Sequence, residues 1–200
     1  MRGDILRSGP LTLRPPESGD ITAIAEACQD PEIHRWTRVP VPYTRDDAAG
    51  FVSHVSDPGW ESGTSCTWVI ETTAPTHDHP RSAFAGMISL DGIGDGSAGI
   101  GFWSAPAHRG TGTMTAAGRL VLDVAFTAAP QGLGLARVEW RAYPGNSASA
   151  AVARRLGFAF EGTLRGSGLQ RGRRVDEWVA GVLATDDRSQ DRWAATPERT

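Results

Sequence analysis

The sequence contains no lysine, and all 20 of its basic residues are arginines. Together with the many alanines and glycines, this bias points to a GC-rich coding sequence rather than to selection for phosphate binding. The 23 acidic residues outnumber the basic ones and give a formal net charge of -3. Because the chain has no overall basic field, we expect no nucleic-acid partner.

Cysteine is also scarce, since Cys28 and Cys66 are the only two. A single distant pair makes no disulfide framework, and a reducing compartment is the simpler expectation. No stretch approaches the roughly 20 apolar residues of a membrane span, and the first residues contain no apolar run of signal-peptide length. We therefore expect a cytoplasmic protein without a membrane partner.

The remaining composition is ordinary for a soluble globular domain, with 40% hydrophobic and 22% charged residues. A chain of 200 residues buries enough apolar surface to fold without a metal or disulfide. We expect one domain over residues 1–184 and a polar, peripheral tail over 185–200, in which Trp193 is the one candidate for docking.

Two helices are predicted in the first part of the chain. The first is capped at Ser18 or Asp20 and ends before residue 31, a proline. The second opens with a capping box formed by Thr44 and Asp47. The segment 34–43 between them is predicted to be a loop rich in aromatic residues and proline. The inward face of the second helix is predicted to contain Ala48, Phe51, Val52 and Val55.

Apolar runs separated by turn residues predict the order β-α-α-β-β-β-α-β-α-β-β. Two further helices are predicted at 112–126 and 146–156, the second capped by Asn146. This order predicts an α/β fold with a mixed, twisted, mostly antiparallel sheet of about seven strands flanked by helices. The predicted strands are 11–15, 67–72, 84–90, 98–103, 136–143, 158–164 and 175–183.

The most informative segment is 99–115, where a glycine-bearing strand ends in a turn that leads directly into a helix. The first turn of a helix presents unpaired N–H groups and the positive end of the helix dipole. Gly110 and Gly112 allow a diphosphate to approach that backbone closely, and Arg109 adds a planar cationic fork for phosphate oxygens. By itself, the turn fits a flexible strand–helix connection equally well.

A dinucleotide-binding unit is the competing hypothesis for a glycine-rich turn of this kind. It requires a third glycine, a place in the first βαβ unit and an acidic residue roughly 20 positions further on. Here the third position is Thr115, several strands precede the turn, and Glu139 lies 27 residues beyond Gly112. The dinucleotide hypothesis is therefore rejected.

The ordered motifs of the chain resemble the GNAT acetyltransferase superfamily over residues 11–183. Arg109-Gly-Thr-Gly112 matches the first four positions of the (Gln/Arg)-x-x-Gly-x-(Gly/Ala) diphosphate loop of that superfamily. The resemblance implies a GNAT fold and the transfer of an acyl group from acyl-CoA to an amine. The motifs similar to the branch of ribosomal-protein N-terminal acetyltransferases are Asp30-Pro-Glu, Trp36, Asn146-Ser-Ala-Ser149, Leu156-Gly-Phe158, Glu161-Gly162 and Leu164-Arg165.

The resemblance also implies where ligands bind. The pantetheine arm of the carrier is expected between the splayed strands at 98–103 and 136–143. Asn146 and Ser149 take the catalytic positions near the carrier and its sulfur, although both also fit helix capping. The acceptor site is expected at His34, Trp36 and Tyr43, beside a loop at 166–174. The implied carrier-binding residues are Phe102, Trp103, Ser104, Arg109, Gly110, Thr111, Gly112, Thr113, Met114, Thr115 and Asn146.

Two positions depart from the family pattern. Met114 stands where glycine or alanine is expected, and its long side chain either reshapes the carrier site or points into the core. Gly168 stands where some members of the branch carry a glutamate assigned as the general base. The carboxylate base therefore cannot be transferred from the family to this chain.

Other residues that carry chemistry have plain structural alternatives. Glu139 lies beside two arginines on a strand, so a solvated or paired structural role is expected for it. Asp176 and Glu177 are candidate bases, although a hairpin position favours turn or pairing roles. The two histidines of the loop at 75–81 lack a third clear ligand, so we expect no metal. The arginines of 171–174 fit either an acidic substrate group or solvent.

The sequence therefore predicts an acyl-CoA-dependent N-acyltransferase that uses acetyl-CoA or another acyl-CoA as co-substrate. The acceptor is a primary amine, either a peptide N-terminus or a small amino compound. Only a neutral amine attacks, and an α-amine with a pKa of about 7.7–8.0 is neutral far more often near pH 7 than a lysine at about 10.4. The alternative is an acyl-CoA-binding regulatory or resistance module with little turnover, and a homodimer is left open.

Overall fold

The computed structural model describes residues 5–73 and 83–193, and over these residues the strands form one eight-stranded sheet. The strands are β1 (Leu6–Ser8), β2 (Leu11–Arg14), β3 (Ser65–Thr72), β4 (Ala83–Gly94), β5 (Ser97–Ser104), β6 (Arg137–Ala142), β7 (Ala159–Gln170) and β8 (Arg173–Leu183). Their order is β1-β2-β3-β4-β5-β6-β8-β7, and within the described sheet only β5 and β6 pair in parallel. The predicted fold class, a mixed and mostly antiparallel sheet flanked by helices, is confirmed.

Helices cover both faces of this sheet. One face packs Ile24, Ala48 and Val69 into a smaller hydrophobic core, and the other buries Val121 and Leu156 in the main core. Within the described ranges, no helix is long and apolar enough to cross a membrane. The α-helices are α1 (Ile21–Ala27), α2 (Pro31–Trp36), α3 (Arg45–Phe51), α4 (Asp57–Ser62), α5 (Thr113–Phe126) and α6 (Ser147–Arg155).

The predicted loop at 34–43 is wrong at its beginning, because α2 extends to Trp36. The helix begins there because Asp30 accepts hydrogen bonds from the backbone N–H groups of Glu32 and Ile33, at 2.9 and 3.2 Å. Pro31 follows at the first helical position, where its missing N–H costs nothing. Local capping therefore converts part of an apparent loop into a short helix.

The prediction that Val55 faces inward is also wrong, since its side chain is 52% exposed. The capping box of Thr44 and Asp47 forms as predicted, but the helix widens into a π-helical stretch at Val52–Ser56. A wider turn places more residues in each revolution and shifts the buried face along the sequence. Ser56, at 1% exposure, takes the inward position instead.

Two strand predictions differ from the structure. The three residues of β1 are too short to show a period, and they pair with β2. The loop expected at 166–174 is largely strand, because β7 and β8 continue to a two-residue turn at Arg171 and Gly172. Both turn residues have positive φ, at 47° and 77°, which is the backbone of a tight hairpin.

The described part of the C-terminal segment packs against the domain. Trp193 is 9% exposed, and its ring lies 5.6 Å from that of Trp140 and 5.4 Å from that of Phe160. Arg154 binds Asp191, which holds the segment against α6. Trp193 thus completes the main core, while the domain boundary at 184 stays a prediction.

Trp193→Ala should lower the free energy of unfolding by about 3 kcal/mol, because it removes a large buried ring from the core. Leu183→Ala is the matched control, since Leu183 is 42% exposed and its truncation removes little packing. Chemical denaturation of the two variants measures the difference. A loss below about 1 kcal/mol for Trp193→Ala would show that the ring contributes little to the core.

Candidate active site

The central opening of the site is a gap between β5 and β6. The two strands pair from Ser97–Arg137 to Ile100–Trp140, and their ladder ends there. β5 continues beside β4 to Ser104, whereas β6 continues beside β8 to Ala142. The neighbouring strands therefore separate where the family resemblance implies a splay, and the gap lies at the carboxyl ends of both.

Backbone groups of β5 face this gap. The carbonyl of Gly96 accepts from Ala136 on the β6 side, while the N–H of Ala105 bonds to Ala85 on the β4 side. Alternate residues of a strand direct their N–H and C=O groups to the same side. Even-numbered residues consequently face β6, so Phe102 and Ser104 direct backbone donors and acceptors into the gap.

The gap belongs to a cleft of about 1670 Å³ that reaches both faces of the sheet. On one side the cleft is bordered by the turn at 109–112 and by α6, and on the other by α2 and the β7–β8 hairpin. The predicted carrier-binding residues border the cleft, with the exception of Thr113. Thr113 Oγ1 instead lies 2.8 Å from Thr111 Oγ1, and Thr111 Oγ1 donates to His108 O at 2.8 Å.

The glycine turn leaves the start of α5 open to a ligand. Gly112 is the N-cap residue, with φ +82°, and it offers no side chain to satisfy the first N–H groups of the helix. A Cβ at Gly112 or at Gly110 would meet no heavy atom of the protein within 4 Å. Space, backbone donors and the positive end of the helix dipole therefore coincide at this turn.

Arg109 is already paired in the structure. Its guanidinium donates to Asp30 in a fork, from Nη2 to Oδ1 at 2.7 Å and from Nη1 to Oδ2 at 3.3 Å. This hydrogen-bonded cation holds the pKa of Asp30 below its ordinary value. Because Asp30 also caps α2, Arg109 ties the glycine turn to that helix.

Met114 does not fill the carrier side of the cleft with a long exposed side chain. It is 6% exposed and belongs to the main hydrophobic core, together with Val121 and Ala117 of the same helix. Of the two alternatives for this departure from the family pattern, the structure has the inward orientation. The glycine turn in front of α5 keeps its open space.

Asn146 and Ser149 lie at the start of α6 on the same side of the sheet as α5. Asn146 Oδ1 accepts from the backbone N–H of Ser149 at 3.1 Å, which is the predicted cap. Trp140 Nε1 donates to Ser149 Oγ at 3.0 Å. An indole N–H only donates, so this bond occupies a lone pair of Ser149 and leaves the hydroxyl hydrogen for another acceptor.

The predicted acceptor residues are only partly brought together. Trp36 and Tyr43 border the cleft, whereas His34 does not. The His34 ring nitrogen Nε2 lies 2.6 Å from Cys28 O, at the carboxyl end of α1. Burial raises the pKa of Tyr43 to about 12, so its hydroxyl stays protonated at neutral pH.

The β7–β8 hairpin is fastened to the end of α2. Arg171 Nη2 donates to His34 O at 2.6 Å, and Gln170 Nε2 donates to Arg35 O at 2.7 Å. A cation at the carboxyl end of a helix is favoured by the unpaired carbonyls there. Arg171 thus has a structural role beside the cleft, where the sequence left a choice between substrate and solvent.

The acidic residues of the neighbourhood separate into three groups. Glu139 accepts from Arg141 Nε at 2.6 Å and lies 3.5 Å from Arg137, so it is paired as expected. Asp176 accepts from the backbone N–H of Gly166 at 2.8 Å and does not border the cleft. Glu177, the next residue on β8, does border it.

Sequence reasoning missed two arginines of the carrier side, Arg119 on α5 and Arg155 on α6, which also border the cleft. No motif marks either residue, and only the packing of the two helices brings them near one opening. His77 and His79 lie outside the described residues. Within the described part, no group of three His, Cys, Asp or Glu residues is arranged to hold a metal ion.

A family model described as acetyltransferase (GNAT) domain matches residues 10–159. The chain therefore belongs to the GNAT acetyltransferase family, and it is an acyl-CoA-dependent N-acetyltransferase. Among curated proteins, the uncharacterized N-acetyltransferase p20 of Bacillus licheniformis is 26% identical over 174 residues. That similarity covers 86% of this chain and 92% of the relative.

Solved structures share the fold. RimJ of Mycobacterium smegmatis in complex with CoA-disulfide matches with a TM-score of 0.78 and 24% identity, over 92% of this chain and 90% of RimJ. RimL, a ribosomal L7/L12 alpha-N-protein acetyltransferase in complex with coenzyme A, matches with a TM-score of 0.76 and 19% identity. The match covers 90% of this chain and 98% of RimL. The predicted GNAT architecture is confirmed.

Proposed function

We propose that this chain transfers an acetyl group from acetyl-CoA to a primary amine, on a peptide N-terminus or a small amino compound. The observation that carries the proposal is the gap between β5 and β6, which joins an open helix N-terminus on one face to a second cleft region on the other. A long thin carrier fits the first region, and an acceptor fits the second.

The carrier's diphosphate binds at the turn of Gly110–Gly112, where backbone donors and open space coincide. Its pantetheine arm enters the gap and pairs with the backbone of Phe102 and Ser104. These two residues lie past the end of the ladder, so β6 does not pair with them. RimJ and RimL were solved with CoA species bound, and they support a CoA carrier for this fold. Arg119 and Arg155 add cations beside the phosphates.

The reaction is a direct attack of the amine on the thioester carbonyl. A backbone N–H of the gap segment stabilises the negative charge that develops on the carbonyl oxygen. The sulfur leaves toward α6, where the hydroxyl of Ser149 donates a hydrogen bond to it. Since a thiol has a pKa of about 8.5, its anion leaves readily, and Ser149 needs only to assist.

Gly112→Val should weaken CoA binding by at least tenfold more than Arg109→Ala. The branched side chain would fill the open space and block several backbone contacts, whereas Arg109 is shared with Asp30. Isothermal titration with CoA measures both variants. Gly63→Val is the matched control, because Gly63 has a similar φ of +71° and open space but lies away from the cleft. Unchanged binding in a folded Gly112→Val variant would contradict the diphosphate assignment.

Ser149→Ala should lower kcat by about tenfold or more while the Kd for CoA stays the same. A hydrogen bond to a charged atom contributes about 1.5–3 kcal/mol, and each 1.36 kcal/mol is about a tenfold change in rate. Ser147→Ala, an exposed position of the same helical turn, is the control. If the Ser149 variant loses thermal stability but keeps full turnover, its only role is structural.

The acceptor preference is tested with two matched peptides, one with a free N-terminus and one with a blocked N-terminus and an internal lysine. We expect CoA release at pH 7 to be at least tenfold faster with the free N-terminus. At pH 7, deprotonating a lysine ammonium costs roughly 5 kcal/mol, against about 1 kcal/mol for an α-amine. A preference for the lysine peptide would refute the acceptor class, and no release with any amine would refute the proposed reaction.

A further inference from the structure

Gly168 has no side chain, and the side chain of Glu177 occupies the space beside it in the cleft. A Cβ built on Gly168 would lie 3.0 Å from Glu177 Cγ and 3.1 Å from Glu177 Cδ. The position at which the family resemblance implies a glutamate therefore has no side chain here, and Glu177 of the paired strand β8 lies against it. Both residues border the cleft, with Ser167 and Leu169 beside them.

We propose that Glu177 is the general base of this acetyltransferase, and that it acts from the space beside Gly168. The inference rests on the proposed transfer to an amine. The base then lies on β8, whereas the family pattern has it on β7. Of the two candidate bases Asp176 and Glu177, only Glu177 takes this role.

The strand geometry places Glu177 on the acceptor side of the gap. β8 pairs with β6 up to Ala142–Trp178, so Glu177 lies just past the end of that ladder, beside Tyr143. Successive side chains of a strand point to opposite faces. Trp178 packs against the main core on the α5 face, and Glu177 therefore projects to the opposite face from Ser149. Glu177 thus acts on the amine from one face of the sheet, and Ser149 acts on the departing sulfur from the other.

The carboxylate is oriented but retains an oxygen for a proton. Ser167 Oγ donates to Glu177 Oε2 at 2.8 Å, and Arg141 Nη1 lies 3.6 Å from the same oxygen. Within the described residues, both contacts are made by Oε2, so Oε1 keeps its lone pairs. Arg141 is shared with Glu139, to which it donates at 2.6 Å.

Glu139 also borders the cleft, but arginines lie against both of its oxygens. Other ionisable groups are poorly suited to this task as well. Burial raises the pKa of Tyr143 above its ordinary value, and Tyr43 is raised to about 12, so both hydroxyls stay protonated. Asp176 is bound to Gly166 N and lies outside the cleft. Arg38 borders the cleft as a cation and cannot accept a proton.

The step balances in atoms and charge. The amine nitrogen attacks the thioester carbon, and the C=O π electron pair moves to the carbonyl oxygen. The new C–N bond leaves a positive charge on nitrogen, and the oxygen becomes negative. That nitrogen gives one proton to Glu177 Oε1, directly or through one water. The oxyanion then re-forms the C=O bond as the C–S bond breaks, and the electron pair of that bond leaves with sulfur as thiolate. Glu177 finally returns its proton to solvent.

Glu177→Gln tests the proposal without changing side-chain volume. We expect kcat at pH 7 to fall by about 100-fold, as for loss of a general base, with the Kd for CoA and the melting temperature unchanged. Glu161→Gln is the matched control, since Glu161 pairs with Arg137 outside the cleft and its kcat should change less than threefold. A Glu177→Gln enzyme within threefold of the wild type would overturn the inference.

A relocated carboxylate provides the second test. Glu177→Ala removes two of the three close neighbours of a Cβ at position 168, so the double variant Gly168→Glu/Glu177→Ala can place a glutamate there. We expect the kcat of this double variant to be at least tenfold higher than that of Glu177→Ala. A folded, CoA-binding double variant with no recovery counts against a base at this place. A wild-type chain that binds acetyl-CoA but releases no CoA with any amine refutes the proposed function instead.

Discussion

The early end of the ladder between β5 and β6 is the constraint on which the site depends. Past Ile100 and Trp140 the two strands lose their shared hydrogen bonds, and a sheet normally closed to ligands becomes open through its middle. Unpaired backbone groups must then find partners from outside the sheet. A linear thioester carrier can supply those partners and present its carbonyl to both faces. The position of the cleft thus follows from the early end of this ladder.

Two arginines hold the two ends of the short helix α2. At its beginning, Arg109 binds the capping residue Asp30 with two parallel hydrogen bonds, and at its end, Arg171 binds the carbonyl of His34. A guanidinium offers several donors in a fixed plane, so each arginine can join two elements at a defined angle. A six-residue helix with little intrinsic stability is held at both ends in this way. The same helix carries Trp36 at the cleft.

Features encoded by adjacent residues were predicted well from the sequence, and features created by register were not. Local neighbours in the chain form the caps at Thr44 and Asn146 and the glycine turn before α5. These features can therefore be predicted from short sequence patterns. The exposure of Val55 depends on one widened helical turn, which leaves no local signature. The same holds for the cleft positions of Arg119 and Arg155, because only the packing of α5 with α6 defines them.

Gly168 and Glu177 show that residues at different sequence positions can place a side chain in the same part of the cleft. The hairpin register carries an irregularity between Leu164 and Gly168, and Asp176 fastens it by binding Gly166 N. Past that irregularity Gly168 pairs with Val175, and its bare Cα lies beside the Glu177 side chain. Proton transfer requires a base within reach of the amine, and either strand of the hairpin can carry one. A glycine in the usual position is therefore no sign of an absent base when the facing strand carries a glutamate.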